Sequence, residues 1–186
     1  MTSPGGGLRE SLVSAALQLL ESDGADLSLR AVARAAGVSA MAPYRHFPDK
    51  TALLSAVAER GFALLHAKLT AADERDDPSE ALLEQGLAYL AFARAHPALF
   101  RLMFAGEVAR AVAKPDGPAG FDVLARRVAS LAPGDIAAAR LACWSMVHGL
   151  ATLSLDGRLN ASDPQHEREA LALLVGAIGR NGQKPS

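Results

Sequence analysis

A chain of 186 residues is long enough to bury a core, and a composition that is 50% hydrophobic but only 5% aromatic favours helices over strands. The formal net charge of −1 excludes the overall basicity of many nucleic-acid-binding proteins, so the distribution of charge along the chain is more informative than its sum. No segment alternates strictly between apolar and polar residues over several turns, and we therefore predict an all-α fold.

The N-terminal part of the chain is predicted to contain two helices. Residues 1–7 are rich in glycine, and we expect them to be disordered. Apolar residues recur every three or four positions from Leu8, which predicts a helix that ends near Asp23, where a glycine follows. A second, short helix begins directly after Ser28, and either Ser28 or Asp26 is available as its N-cap.

A third, very short helix is predicted after Gly37, which ends the second one. It runs from a cap at Ser39 to about Arg45, and Pro43 stands inside it. If Ser39 is the N-cap, Pro43 is the fourth helical residue, and its missing N–H removes only the first bond within the helix. We therefore expect the proline to shorten this helix rather than break it. A fourth helix begins near Asp49.

The rest of the chain is predicted to form longer helices. Asp77, Pro78 and Glu80 suit the N-cap and first turn of a helix that follows an acidic loop. With approximate bounds, these further helices are expected at residues 78–95, 98–111, 120–131, 135–155 and 163–179. The uncharged run Leu141–Leu155 is shorter than the roughly 20 residues that span a bilayer. Because the N-terminus also lacks a basic region followed by an apolar stretch, we expect a cytoplasmic protein with no membrane partner.

Two short helices joined by a glycine-containing turn, with a capping serine after it, are typical of a helix-turn-helix. Small residues at Ala33, Ala36 and Gly37 allow close crossing of the helices, and the second helix is slim enough for a major groove about 12 Å wide. A helical hairpin without DNA contacts would show the same spacing. The charge favours DNA, because residues 28–50 hold four basic side chains and one acidic one, whereas residues 73–80 hold one basic and five acidic.

Residues 27–54, LSLRAVARAAGVSAMAPYRHFPDKTALL, closely resemble the DNA-binding head of the TetR family of bacterial repressors. The resemblance rests on the AGVS turn, on Tyr44, on the pair His46-Phe47 and on Lys50. It implies a homodimer that binds the two halves of a palindromic operator in double-stranded DNA and is located in the bacterial cytoplasm at the nucleoid.

A second resemblance covers the remainder of the chain. The segment HPALFRLMF, which begins at His96, and the pattern of Trp144 with His148-Gly149 are similar to a class of TetR C-terminal domains. Together the resemblances imply three regions with distinct roles. These are a disordered N-terminus at 1–7, a three-helix helix-turn-helix DNA-binding domain at 8–47, and a larger C-terminal helical ligand-binding and dimerisation domain at 48–186.

The resemblance implies that Tyr44, His46 and Lys50 hold DNA phosphates. Ser28 and the N–H groups at the start of the second helix suit the same task, since the N-terminus of a helix attracts anions. Two of these residues have an alternative role that the sequence leaves open. His46 could instead cap a helix or lie in the core, and Tyr44 could serve for packing alone.

For reading bases, Arg30 and Arg45 are the long donors that can reach guanine edges, and Ser39 is a short one. Three neighbouring residues offer only apolar contacts, best suited to thymine methyl groups: Ala40, Met41 and Ala42. Many family members carry glycine where Met41 stands and an aliphatic residue where Pro43 stands. We therefore expect this protein to make few direct hydrogen bonds to bases.

A second group of residues is a candidate effector pocket for a small apolar molecule, as the resemblance implies. Its members are aromatic, sulfur-containing or imidazole side chains in the predicted apolar helices: Tyr89, Phe92, Phe100, Met103, Phe104, Trp144 and His148. Any one of them could instead belong to the core. Trp144 and His148 bring polar nitrogens into apolar surroundings, so each requires a partner, which could be a ligand, water or a main-chain acceptor.

The last two predicted helices are rich in Ala, Leu and Val, and the resemblance implies that they form a four-helix dimer interface. Dimerisation would place two heads about one DNA turn apart, ~34–36 Å, as a palindrome requires. An effector would then favour a head spacing that misfits the operator, by a coupling typically worth ~1–3 kcal/mol. Repression is the default in this family, although activation is also possible.

Two other classes of protein fit the sequence less well. An enzyme would need a nucleophile–base pair or a ligand cluster, but the five histidines show no metal-binding spacing and the N-terminal glycines lack the motif of a phosphate loop. We therefore expect no enzymatic activity, no cofactor and no metal. The second alternative is a helical protein-interaction module without DNA binding.

Overall fold

The computed structural model describes residues 4–23, 27–104, 106–112, 121–132, 134, 136–159 and 164–182. Within these ranges the regular secondary structure is entirely helical, which confirms the all-α fold. The helices are α1 (Pro4–Asp23), α2 (Leu29–Ala35), α3 (Lys50–Ala72), α4 (Pro78–Ala95), α5 (Pro97–Phe104), α6 (Gly106–Val112), α7 (Phe121–Leu131), α8 (Ile136–Leu155) and α9 (Pro164–Gly182), with a short 3-10 helix at Pro43–Arg45.

The contacts divide the chain into two compact units. The first unit contains Met1–Ala63 and His96–Pro115, and the second contains Leu64–Ala95 and Asp116–Ser186. The helix α3 runs through the point of division, so these packing units differ from the functional division after residue 47, which stays a prediction.

In the first unit, α1 packs against α2 and α5. Its core includes Leu12, Val32 and Leu53, all fully buried. The end of α1 also supports the start of α5, because the Oε1 atom of Glu21 accepts the Leu99 N–H at 3.2 Å. That N–H belongs to the first turn of a helix, where it has no partner within the helix, so a carboxylate there stabilises α5.

In the second unit, α4 packs against α7, α8 and α9. The N-cap predicted at Asp77 is confirmed, since its Oδ1 atom accepts the N–H groups of Ser79 at 2.8 Å and Glu80 at 2.9 Å. A partly buried ion pair also connects two helices of this unit. Arg94 donates two hydrogen bonds to the buried Glu167 at 2.9 and 2.7 Å, which joins α4 to α9.

Two predicted helix boundaries are wrong. The first helix begins at Pro4 rather than Leu8, so residues 4–7 are helical, while residues 1–3 lie outside the described residues. Proline is favoured at a first helical position because its missing N–H has no acceptor there. The single helix predicted at 98–111 is divided into α5 and α6, and Gly106 has a φ of +74°, which α-helical geometry does not allow.

Among the described residues, α8 is the one helix long and apolar enough to cross a bilayer. Length and composition are weak evidence for a membrane span, because a helix that packs against other helices passes the same test. Only 22% of the apolar window of α8 is buried within the chain. Much of this apolar helix therefore lies on the surface of the isolated chain.

Candidate functional site

The turn after α2 is a helix C-cap that requires glycine. Gly37 has a φ of +68°, and its N–H donates to the Arg34 carbonyl at 3.1 Å, while the Val38 N–H donates to the Ala33 carbonyl at 2.9 Å. These two bonds form a Schellman motif, in which a residue with positive φ closes the helix. The predicted end of the second helix at Gly37 is confirmed, and the chain leaves α2 in a fixed direction.

The third helix predicted from Ser39 to Arg45 is wrong in type and length. The Ala42 N–H donates to the Ser39 carbonyl at 2.9 Å in a turn, and only Pro43–Arg45 form a 3-10 helix. Its N-cap is Ala42, which makes no side-chain capping bond. Pro43 is thus the first residue of a short helix rather than the fourth of a longer one, a position where its fixed φ fits and its missing N–H costs little.

The side chain of Pro43 is part of the core. It is less than 2% exposed, and its carbonyl accepts the N–H groups of both His46 and Phe47 at 2.9 Å. Phe47 is also buried, at 2% exposure. The 3-10 helix is therefore anchored by two buried rings, one at its first residue and one shortly after its end. We call residues 39–45 the reading turn.

Most of the predicted DNA-binding residues lie on the surface. Seven of them are exposed: Arg30, Ser39, Ala40, Met41, Tyr44, Arg45 and Lys50. Three are partly buried: Ser28, Ala42 and His46. Within the reading turn the exposed fraction is 68% for Met41 and 43% for Tyr44.

Ser28 is the N-cap of α2, as predicted, because its Oγ atom accepts the Ala31 N–H at 3.2 Å. The hydroxyl keeps its own proton for donation, so capping and a phosphate contact are compatible. The alternative cap, Asp26, lies outside the described residues. Asp49 similarly caps α3 by accepting the Ala52 N–H at 2.8 Å, which places Lys50 at the first residue of that helix.

Sequence reasoning missed Arg9 in α1. Its guanidinium carbon lies 5.3 Å from the centre of the Phe47 ring, a distance typical of a cation–π contact. This contact brings a further exposed cation to Phe47, the neighbour of His46. One signal could have indicated it, since Arg9 is the single basic residue in the sequence of α1.

Three of the predicted effector residues form a polar cluster in the second unit. Tyr89 of α4 and His148 of α8 are joined by a hydrogen bond of 2.9 Å between Oη and Nδ1, and the Trp144 side chain also bonds Tyr89. Because an indole N–H can only donate, the Tyr89 oxygen accepts from Trp144 and its own proton is left for His148 Nδ1. The Tyr89 phenol is thus a protein partner for both Trp144 and the Nδ1 atom of His148.

Burial sets the protonation states within this cluster. It raises the pKa of Tyr89 well above its ordinary value, an effect that the Trp144 hydrogen bond only partly opposes. Burial also lowers the pKa of His148. Both side chains are therefore neutral near pH 7, as the hydrogen bond between them requires. Phe92, one helical turn from Tyr89 on α4, is completely buried.

Two other predicted effector residues, Phe100 and Phe104, form an aromatic cluster with Phe62 in the first unit. The Phe104 ring lies 4.9 Å from that of Phe100 and 5.3 Å from that of Phe62, between ring centres. Phe100 and Met103 are buried at 3% and 1% exposure. The predicted effector residues are therefore divided between the two units, with Tyr89, Phe92, Trp144 and His148 in the second and Phe100, Met103 and Phe104 in the first.

A surface cavity of about 340 Å³ in the second unit has a different lining, which consists of Ala71, Ala72, Glu74, Arg75 and Glu84. This lining is largely polar and includes none of the predicted effector residues. In the part of the chain that the structure describes, no group of three or more His, Cys, Asp or Glu side chains is arranged to hold a metal ion.

Two family models match the chain. Residues 12–57 match the model of bacterial regulatory proteins of the tetR family, and residues 82–178, more than half of the chain, match that of a tetracyclin repressor-like C-terminal domain. The chain belongs to the TetR family. It is a transcription regulator with a helix-turn-helix DNA-binding head and a ligand-binding C-terminal domain, as the sequence predicted.

Solved structures support the same fold. A protein of unknown function from Rhodococcus sp. RHA1 is 35% identical, with a TM-score of 0.75 over 93% of this chain and 94% of its own. A TetR regulator from Streptomyces coelicolor is 21% identical, with a TM-score of 0.74 over 94% and 99%. A TetR variant from Acinetobacter baumannii AYE in complex with minocycline is also 21% identical, with a TM-score of 0.68 over 99% and 100%. No curated protein matches the sequence.

The two family matches enclose the predicted sites of this TetR-family regulator. The N-terminal match contains every predicted DNA-binding residue, and the C-terminal match contains every predicted effector residue. The roles of the individual side chains stay predictions.

Proposed function

We propose that this TetR-family regulator is a homodimeric repressor that binds a palindromic operator and is released by a small apolar effector. Such a protein works in the bacterial cytoplasm, at the nucleoid. The proposal concerns three parts of the molecule. These are the reading turn with its surrounding cations, the exposed sides of α8 and α9, and the interior cluster of each unit.

One observation carries the proposal. Within the described ranges, the large apolar side chains that remain exposed are Met41 and Tyr44 in the reading turn, and Ile136, Leu141, Leu153 and Leu173 in α8 and α9. A folded chain exposes such groups together where it binds something. Their two locations match the two contacts that a dimeric regulator needs, one with DNA and one with its own second copy.

For DNA binding, the proposal separates contacts that hold phosphates from contacts that read bases. Tyr44, His46 and Lys50 hold phosphates, assisted by the hydroxyl of Ser28. Arg9, beside Phe47, is placed for a further phosphate contact. Arg30 and Arg45 donate to guanine edges in the major groove, with Ser39 as a shorter donor.

For dimerisation, α8 and α9 each carry an exposed stripe. The stripe of α8 consists of Ala138, Leu141, Ala142 and Ser145, and the stripe of α9 includes Ala172 and Leu173. We call these the α8/α9 stripes. Leu141 is 59% and Leu173 74% exposed, and the small neighbours allow a second pair of helices to approach closely. Pairing the stripes of two copies would give a four-helix interface.

For effector binding, we consider each interior cluster within its own unit. In the second unit, the Tyr89–His148 pair offers hydrogen-bonding groups in an apolar setting. In the first unit, the rings around Phe104 separately offer an apolar surface. The minocycline complex of the Acinetobacter baumannii protein shows that a protein of this fold can hold a small molecule. We propose an effector that is mainly apolar with one or two polar groups.

The proposal is tested with the DNA that lies upstream of the coding region. A gel-shift titration at several salt concentrations should show specific binding, with log K falling steeply against log salt as phosphates are neutralised. Light scattering of the free protein should show a dimer. A dimer that binds no duplex at low salt would favour the alternative, a helical protein-interaction module without DNA binding.

A further inference from the structure

Met41 has an unusual position in the reading turn. It is 68% exposed, whereas Ala42 beside it is partly buried and Pro43 is fully buried. The neighbours Ala40 and Ala42 end at Cβ and have no side-chain donor or acceptor. The thioether of Met41 is therefore the long apolar group of this stretch, and it points away from the core of its unit.

The backbone holds Met41 in a fixed place. The hydrogen bond from the Ala42 N–H to the Ser39 carbonyl, 2.9 Å long, closes a turn in which Met41 is the third residue. The Schellman cap at Gly37 fixes the chain before this turn, and the buried ring of Pro43 fixes it afterwards. An anchored backbone lowers the entropy that is lost when the side chain makes a contact.

The chemistry of Met41 limits what it can recognise. A thioether accepts hydrogen bonds only weakly and donates none, but it is polarisable and adapts to an apolar surface. In the major groove, the apolar group on a base edge is the 5-methyl of thymine. We infer that Met41 is a specificity-determining residue that packs on a thymine methyl in each operator half-site. The inference rests on the proposed DNA binding and adds the base pair that is read.

The test removes the methyl group and leaves everything else unchanged. The tightest-binding duplex is selected from random sequence, and each thymine in its half-sites is replaced in turn by uracil. Burial of one methyl group is worth about 0.8 kcal/mol, which corresponds to about a fourfold loss in affinity. At one symmetric position, replacing thymine by uracil in one half-site should lower the affinity about fourfold. Replacing it in both half-sites should lower the affinity roughly 15-fold, if the two free-energy losses add.

Variants at Met41 assign this loss to the side chain. Met41→Ala should bind the thymine and uracil duplexes equally, because no group remains to contact the methyl. Met41→Leu, which keeps an apolar side chain of similar volume, should retain most of the discrimination. Because the side chain is exposed, both variants should keep the circular-dichroism melting curve of the parent protein.

Three results would overturn the inference. In the first, no thymine of the selected duplex is sensitive to loss of its methyl. In the second, Met41→Ala keeps the full sensitivity, which would place the methyl against another residue. Either result leaves the proposed DNA binding intact. In the third, no duplex is enriched by the selection, and then both the inference and the proposed function fail.

Discussion

The reading turn and the α8/α9 stripes both expose large apolar side chains, yet they differ in almost every other respect. In the reading turn, Met41 and Tyr44 are carried by a short segment fixed at both ends, and exposed cations lie close by in the sequence. In α8 and α9, the exposed leucines stand on long helices, and Leu141 lies among the small exposed residues Ala138, Ala142 and Ser145.

If both surfaces bind as proposed, a chain with a net charge of only −1 presents two binding surfaces of different chemistry. Few apolar groups among cations suit a polyanion, because the charges supply affinity and the apolar groups supply selectivity. A stripe of alanine and leucine suits a second apolar helix, where packing supplies the affinity. The predictions below test this contrast, beginning with the largest expected effect.

A charge in the α9 stripe should abolish the dimer. Leu173→Glu would bury an unpaired carboxylate in the proposed interface, at a cost of about 3 kcal/mol or more, so dimer dissociation should become more than ~100-fold easier. Light scattering and analytical ultracentrifugation measure this directly. Operator binding should weaken in parallel, since a single head makes only half of the contacts.

The matched control is Ala63→Glu, which adds the same charge at an exposed position of α3. This variant should remain a dimer. If Leu173→Glu also remains a fully folded dimer with an unchanged dissociation constant, the α8/α9 stripes are not the dimer interface. The proposed contrast between a DNA-binding surface and a dimerisation surface would then fail.

Within the head, loss of a base contact and loss of a phosphate contact should be distinguishable. Arg30→Ala should weaken binding by about 1–3 kcal/mol and relax the preference at one base pair of each half-site. Lys50→Ala should weaken binding to all sequences alike and reduce the salt slope by about 2, one for each head of the dimer. Affinity selection at two salt concentrations reports both the base preference and the salt dependence of binding. A uniform loss in Arg30→Ala would make that residue a phosphate contact.

Pro43 tests whether the reading turn depends on its buried ring. Pro43→Ala removes two buried methylene groups and makes the unfolded chain more flexible, so the free energy of unfolding should fall by about 2 kcal/mol. Pro48→Ala is the control, because Pro48 is exposed and should lose less than about 1 kcal/mol. Urea denaturation measures both. A more stable Pro43→Ala protein would mean that the proline interrupts a longer helix.

The smallest expected effect is the pH dependence of stability that arises from the cluster of Tyr89, Trp144 and His148. Burial lowers the pKa of His148 below its ordinary 6.5, so the unfolded chain binds more protons in the range just below that value. Its contribution to stability is complete above about pH 6.5 and is lost as the pH falls through the lower, folded-state pKa. The melting temperature of His148→Gln should therefore fall less between pH 7.5 and pH 5 than that of the parent protein.

Tyr89→Phe complements this measurement, because it removes the phenol that bonds His148. It should destabilise the protein less as the pH is lowered from 7.5 to 5, because the bond favours neutral His148 and protonation competes with it. An equal loss at both values would show that the hydrogen bond has no part in the pH dependence.

Features governed by neighbouring residues could be predicted from the sequence. The caps at Ser28 and Asp77 and the glycine turn at Gly37 each depend on a few adjacent residues, and the structure confirms all three. The helix-turn-helix was predictable for the same reason. Most helix ends also lie within a few residues of their predicted positions, since proline, glycine and capping residues mark them locally.

Features governed by distant contacts could not be predicted in the same way. The form of the reading turn depends on burial of the Pro43 ring, which no local pattern reveals. The hydrogen bond between Tyr89 and His148 joins residues 59 positions apart, and the contact of Arg9 with Phe47 likewise joins two separate elements. The positive φ of Gly106, which ends the predicted continuous helix, was missed because a lone glycine is tolerated inside many helices.

The buried rings of the head also bear on how its target sequence can change. Gly37, Pro43 and Phe47 fix the backbone and face inward or close the turn, whereas Ser39, Ala40 and Met41 face solvent. In the proposed function, the residues that maintain the fold and the residues that read the DNA are thus different residues. We therefore expect that the exposed positions can be exchanged without loss of stability, so that a few substitutions would redirect the same scaffold to a new operator.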